Sequence, residues 1–224
     1  MINTVLFDLD GTLADTAPDL AAALNRVLLD QGCQPLPFSR IRPEVSNGAA
    51  ALVRLGFGLE AGEAGFDALR QALLDEYSDH IAAETRLFPG MADVLTGIEQ
   101  RGMKWGVVTN KPAFLTDPLL AALQVAERAA CVVSGDTLPQ RKPDPAPMLH
   151  ACLATGSEPE HCVYVGDAER DIVAGRRAGM RTLAARFGYI GKGIDLSDWR
   201  TDAVVDSPLD ILAWLEEQGA RALG

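Results

Sequence analysis

The stretch VLFDLDGTLADT, from Val5 to Thr16, constrains the fold more than any other part of the chain. It opens as a buried strand, then sets Asp8 and Asp10 where such a strand would continue with Val or Ile. After a turn at Gly11 the following residues read as a helix, not as a return strand. A strand that runs into a helix asks for parallel neighbours, because only a long crossover can join parallel strands. The rest of the chain supplies them. Short apolar runs (NTVLFDL, KWGVVTN, AACVVSG, CVYVGD, RTLAAR) alternate with helical spacing over Met91 to Arg101, Ala113 to Leu123, Ala146 to Ala154 and Glu169 to Ala178. Glycines close several of these, as at Gly102 and Gly179. The expected fold is α/β, an open parallel sheet flanked by helices and wound by right-handed crossovers.

One interval breaks the rhythm. About 90 residues separate the first strand from the next long one, and Thr16 to Glu84 read as helical. DLAAALNRVLLDQG carries helical spacing and ends in glycine, and further helices fit Gly48 to Leu55 and Phe66 to Ala83. The stretches GCQPLPFSRIRP and GFGLEAGEAG read as turn-rich breaks. The expected organisation is a core of residues 1–15 and 85–224, with an all-helical insertion over 16–84. The tail ARALG is expected to fray.

With 224 residues, 48% of them hydrophobic, the chain can bury one substantial core. Its formal charge of −11 disfavours loose association with nucleic acid or anionic membrane, so an anionic substrate needs a local positive pocket. MINTVLF enters a strand without a basic leader, and no apolar run approaches the roughly 20 residues that cross a bilayer. A cytoplasmic protein, monomer or homodimer, is expected. The scattered cysteines and histidines show no zinc-like spacing.

Alternation along a strand puts Asp8 and Asp10 on one side and Leu9 on the other. With Cα atoms about 6.5 Å apart, two full charges repel by about 2.5 kcal/mol at an effective dielectric of 20. A divalent cation or a retained proton relieves that repulsion, and both serve acid–base and phosphoryl chemistry. Ordinary turn chemistry also accounts for an Asp-Gly pair. Three other strand ends matter. WGVVTN delivers Thr109 and Asn110, groups suited to a phosphate. In RKPDPAP, Pro143 biases Lys142 toward an extended backbone. VYVGDAERD ends a strand at Asp167, with Asp171 one helical turn on. Carboxylates with water suit Mg²⁺ better than zinc.

Together DLDGT, VVTN, KPDP and GDAERD, in this order, resemble the four motifs of the haloacid dehalogenase superfamily in its phosphatase branch. FPGM, GVVTNKP and DIVAGRRAGM are similar to phosphoglycolate phosphatases, and FGYI and DAVVDSPLDI to N-acetylmuramic acid 6-phosphate phosphatases. The resemblance implies a helical cap over a Rossmann-like core and Mg²⁺-dependent hydrolysis of a small anionic phosphomonoester through an aspartyl-phosphate. It makes Asp8 the nucleophile and a metal ligand, and Asp10 the general acid and base whose backbone carbonyl also binds the metal. Asp167 completes the ligand set, Asp171 stands behind it, and Thr109, Asn110 and Lys142 hold the phosphoryl group. For substrate choice RIRPEVSNGAA is the candidate region: Arg42 to pair with a substrate carboxylate, and Ser46, Asn47 and Gly48 to offer donors at a helix start. A surface arginine beside an ordinary N-cap is the plainer reading of the same residues. A sugar-phosphate mutase, a dehalogenase and a non-enzymatic phospho-acceptor domain are the rival functions.

Overall fold

A computed structural model describes residues 1–191 and 193–221. The chain opens with β1 (Thr4–Phe7), buried along its whole length, and after the turn at Gly11 makes the short β2 (Ala14–Asp15). Four helices follow: α1 (Ala17–Asp30), α2 (Phe38–Ile41), α3 (Gly48–Phe57) and α4 (Phe66–Asp79), with a 3-10 turn over Arg42–Asn47. The chain returns through β3 (Arg86–Leu87), which pairs antiparallel with β2. From there helices and strands alternate: α5 (Met91–Gln100), β4 (Lys104–Val108), α6 (Ala113–Ala122), β5 (Val132–Val133), α7 (Ala146–Thr155) and β6 (Cys162–Gly166). The series ends with α8 (Glu169–Arg177), β7 (Arg181–Ala185), β8 (Ala203–Val205) and α9 (Leu209–Arg221).

The main sheet is parallel, in the order β5-β4-β1-β6-β7-β8. β1 is central, and both faces of such a sheet must be apolar because helices cover each. Val5 and Phe7 therefore pack with Trp105, Val107, Val163 and Val165 on one face. Leu6 packs with Val108, Tyr164, Met148 and Ala174 on the other. The winding reverses at β1, with β4 on one side and β6 on the other, and ligands bind at the carboxyl ends of strands at such a reversal.

Helices α1, α3 and α4 bury a shared apolar seam that includes Leu20, Leu24, Leu52, Leu73 and Tyr77. The paired strands β2 and β3 are where the chain passes into this helical segment and out again. Asp19 on α1 is buried there and fastens the return: its carboxylate accepts the Glu84 amide (3.0 Å), the Thr85 amide (2.9 Å) and the Thr85 hydroxyl (2.7 Å).

Several elements differ from expectation. The sequence marks Gly32 to Pro43 as a turn-rich break, yet Phe38–Ile41 forms α2 and Pro43 sits in the first turn of the 3-10 helix that follows, where its missing N–H costs nothing. α4 stops at Asp79, four residues short of the expected end, and the chain leaves the helix at His80. β8 escapes sequence reading because it is three residues flanked by polar ones, and α9 follows it. Of the expected frayed tail, residues 222–224 lie outside the described residues.

Candidate active site

Sheet register assembles the site. Phe7 stands level with Val107 on one side and Val165 on the other. One residue beyond Phe7 is Asp8, and two beyond Val107 and Val165 are Thr109 and Asp167, so all three emerge at one edge. The ladder runs on past the strand ends, with the Asp8 amide donating to the Val165 carbonyl and the Thr109 amide to the Val133 carbonyl, each at 2.9 Å. Gly11 closes the turn with φ +79°, and a Cβ there would lie 2.2 Å from Asp167 Oδ2. The close approach of that backbone to the carboxylate requires glycine.

Asp8, Asp167 and Asp171 are buried and each offers a carboxylate oxygen, the three lying within 4.8 Å of one another. Lys142 sits among them, its Nζ 2.8 Å from Asp8 Oδ1 and 2.8 Å from Asp171 Oδ1, and it donates to the Tyr164 hydroxyl at 2.8 Å. That hydroxyl donates in turn to the Val108 carbonyl (2.6 Å). Asn110 holds the Lys142 backbone from both sides: its Nδ2 donates to the Lys142 carbonyl and its Oδ1 accepts the Lys142 amide, both at 3.0 Å. One ammonium among three carboxylates leaves excess negative charge in a dry place. Burial, then Asp171 and Asp8, push the Asp167 carboxyl up to about 7, although the Tyr189 amide and Ser46 hydroxyl bond to it. Burial also raises Asp171, with Lys142 opposing. Such a cluster of hard oxygen donors, free of His and Cys, fits a divalent cation of the Mg²⁺ kind.

The Asp10 carboxylate turns away from this cluster. It accepts the Thr16 hydroxyl at 2.6 Å and pairs with Lys111 Nζ at 3.0 Å. Lys111 is itself buried and lies 4.4 Å from the centre of the Tyr77 ring, a residue of α4. Burial works against the Lys111 ammonium, but Asp10 and Tyr77 outweigh it and hold it charged well above the usual lysine range. The Tyr77 hydroxyl is buried without a hydrogen-bond partner, and burial pushes its ionisation up to about 12. Lys111 was open to sequence reading, since it directly follows Asn110. Tyr77 was not, being one more large residue on a buried helical stripe.

A cavity of about 490 Å³ opens over these groups. Asp8, Asp10, Thr109, Asn110 and Lys111 line it from one side, and Ser46, Asn47 and Gly48 from the helical segment. A larger cavity, about 640 Å³, lies beside β8 and holds none of these residues. Ser46 donates its hydroxyl to Asp167 Oδ2 (2.8 Å), and Arg170, which the sequence reading passed over inside GDAERD, hydrogen-bonds the Ser46 carbonyl. Asn47 is tied to Glu44 (3.0 Å). Arg42, expected to meet a substrate carboxylate, is not among the lining residues. Its guanidinium lies 4.6 Å over the Tyr189 ring and donates to the Gly188 carbonyl (3.0 Å), because a planar cation gains more from a ring face and a buried carbonyl than from solvent.

The family model described as haloacid dehalogenase-like hydrolase matches residues 5–185, a span that contains every strand-end residue named above. The chain belongs to that family. Among its relatives, an N-acetylmuramic acid 6-phosphate phosphatase of Pseudomonas putida is 41% identical over 210 residues, covering 94% of either chain. A phosphoglycolate phosphatase of Xanthomonas campestris pv. campestris is 42% identical over 205 residues, 91% of this chain and 92% of the relative. A crystal structure of a predicted phosphoglycolate phosphatase from Haemophilus somnus 129pt superposes with a TM-score of 0.85 at 28% identity, covering 96% of this chain and 98% of that one. Like these haloacid dehalogenase-like relatives, the chain is a phosphoric monoester hydrolase. Among the described residues no helix is long and apolar enough to cross a membrane.

Proposed function

We propose that this hydrolase cleaves a small anionic phosphomonoester, such as 2-phosphoglycolate, through an aspartyl-phosphate on Asp8, with Mg²⁺ as cofactor and the helical segment 16–84 as a cap that chooses the substrate. The observation that carries this reading is the meeting of Asp8, Asp167 and Asp171 within 4.8 Å, with the Lys142 ammonium 2.8 Å from Asp8 and from Asp171, beside a cavity that Asp8 lines.

In this reading Asp8, Asp167 and the Asp10 backbone carbonyl hold the metal, with Asp171 behind them. When bound, Mg²⁺ supplies positive charge that screens the phosphoryl oxygens from the attacking carboxylate. Lys142 adds a second positive charge beside Asp8, and its restraint by Asn110 and Tyr164 means little reorganisation is needed as charge develops. Thr109 accepts the Lys111 amide through Oγ1, which leaves its hydroxyl proton for a phosphoryl oxygen. One Asp8 oxygen bonds to phosphorus as the bond to the leaving alkoxide breaks, and Asp10 gives the departing alkoxide oxygen its proton. Water then attacks phosphorus, its proton passes to Asp10, and Asp8 departs as a carboxylate. Thr16 and Lys111 keep the Asp10 carboxyl aimed through both halves.

A second substrate reading, N-acetylmuramic acid 6-phosphate, is favoured by the room available. The cavity of about 490 Å³ equals roughly 16 waters at about 30 Å³ each, far more than a two-carbon acid fills. Leu20, Val45 and Leu74 give it an apolar wall, with Phe114 half exposed on the core side. The experiment is phosphate release from both compounds with magnesium and with chelator. The expected result is metal-dependent release that Asp8→Asn abolishes, and near-normal turnover by that variant refutes the scheme.

A further inference from the structure

We propose that Arg70 reads a second acid group, a carboxylate, on the phosphorylated substrate, and that this carboxylate is separated from the phosphate by a spacer of about the size of a sugar ring. The inference rests on the phosphatase reading with the larger of its two substrates, and goes beyond it in naming the residue that meets the far end of that substrate.

Lining cations other than Arg70 are engaged. Lys111 pairs with Asp10, Arg141 donates to the Gly135 carbonyl (2.6 Å), and Arg170 hydrogen-bonds the Ser46 carbonyl. Arg70 also lines the cavity from its solvent-exposed edge, and among the described residues its side chain has neither an ion pair nor a hydrogen bond. Gln71 beside it is tied to Asp75 (2.8 Å). An unpaired guanidinium at the substrate cavity of a chain with net charge −11 is a ready partner for an anion, and its fork matches a carboxylate with two parallel hydrogen bonds.

Helix geometry sets the spacing. Arg70, Leu74 and Tyr77 are all lining residues of α4, spaced four and three apart and so on one face of the helix. Tyr77 marks the catalytic end, because it packs on the Lys111 that holds Asp10. At 1.5 Å rise per residue the Arg70 backbone stands about 10 Å further along the axis. The side chain of Leu74 fills the interval with apolar surface. A carboxylate within two bonds of the phosphate ester oxygen would sit at the catalytic end, whereas one carried across a sugar ring reaches toward Arg70.

The test compares wild type, Arg70→Ala and Arg70→Lys on N-acetylmuramic acid 6-phosphate, on N-acetylglucosamine 6-phosphate, which lacks the lactyl carboxylate, and on 2-phosphoglycolate. A lost hydrogen-bonded charge pair is worth about 1.5–3 kcal/mol, so Arg70→Ala is expected to lower kcat/KM on the first compound about 10- to 100-fold, mostly through KM. The effect on the other two is expected to stay below about 3-fold. Arg70→Lys is expected to recover part of the loss, since it keeps the charge and gives up the fork. Equal losses on the two sugar phosphates, a larger loss on 2-phosphoglycolate, or a wild type that prefers 2-phosphoglycolate to the muramic acid compound overturns the assignment. Wild-type protein that releases phosphate from a generic aryl phosphate but from none of the three overturns the substrate reading and Arg70 with it, whereas release from none of the four removes the proposed mechanism at its root.

Discussion

Replacing Asp167 with Asn should make the metal-free protein more stable at pH 8 while destroying its response to magnesium. Asp167 is buried beside two other carboxylates, and burial first, then Asp171 and Asp8, raise its carboxyl from an ordinary 3.8 to about 7. The folded chain therefore holds a proton that the unfolded chain has released between about pH 4 and pH 7. Stability falls as the pH climbs through that window and stays low above it. At about 1.4 kcal/mol per factor of ten the full penalty is at most ~4 kcal/mol. Asn carries no charge and keeps an oxygen for the Tyr189 amide and the Ser46 hydroxyl, so the expected gain at pH 8 is about 2–4 kcal/mol. For a chain of this length that is roughly 5–15 °C in Tm. At pH 5 the wild type retains the proton and the gain should shrink to less than about half. The assay is thermal or urea unfolding in chelator at both pH values, repeated with millimolar magnesium. Wild type should rise in Tm with the metal and Asp167→Asn should not. A variant that is less stable than wild type at pH 8, or equally stabilised at both pH values, refutes the electrostatic argument.

Two further outcomes follow from single contacts. Gly11→Ala puts a methyl 2.2 Å from Asp167 Oδ2 at a left-handed φ, and should cost at least about 2 kcal/mol in unfolding measurements and lower phosphate release about 10-fold or more; a fully active, stable variant would contradict the packing described for that turn. Tyr77→Phe removes a buried hydroxyl that has no partner, so stability should hold or rise by up to about 1 kcal/mol, and a loss above about 1 kcal/mol by urea titration would show that the hydroxyl is satisfied.

The sequence made Asp8, Asp10 and Asp167 legible because carboxylates at the ends of apolar strands are costly and stand out against the Val, Leu and Cys around them. Lys142 stood out only through its proline neighbour, and what fixes it, the two-way bond with Asn110, joins segments 32 residues apart. Register between strands is a property of the assembled sheet, so sequence could place such residues at strand ends but could not bring the Asp8, Asp167 and Asp171 carboxylates within 4.8 Å of one another, or turn the Asp10 carboxylate away toward Thr16 and Lys111. Pairings between the helical segment and the core were out of reach for the same reason. Lys111 on Tyr77, Ser46 on Asp167 and Arg170 on Ser46 each join residues whose separation in the chain carries no period. Arg42 shows the limit most plainly: charge and position pointed it at a substrate, while the ring of Tyr189, 147 positions away, captured it.

The chain enters and leaves its helical segment through two strands only two residues long, lying side by side. Asp19 pins one crossing, and the Tyr189 hydroxyl pins the other by donating to Asp15 (2.7 Å) and accepting the Ala17 amide (2.9 Å). Thr16 lies between these two fastenings, so the hydroxyl that it donates to Asp10 (2.6 Å) is fixed in place from both crossings at once.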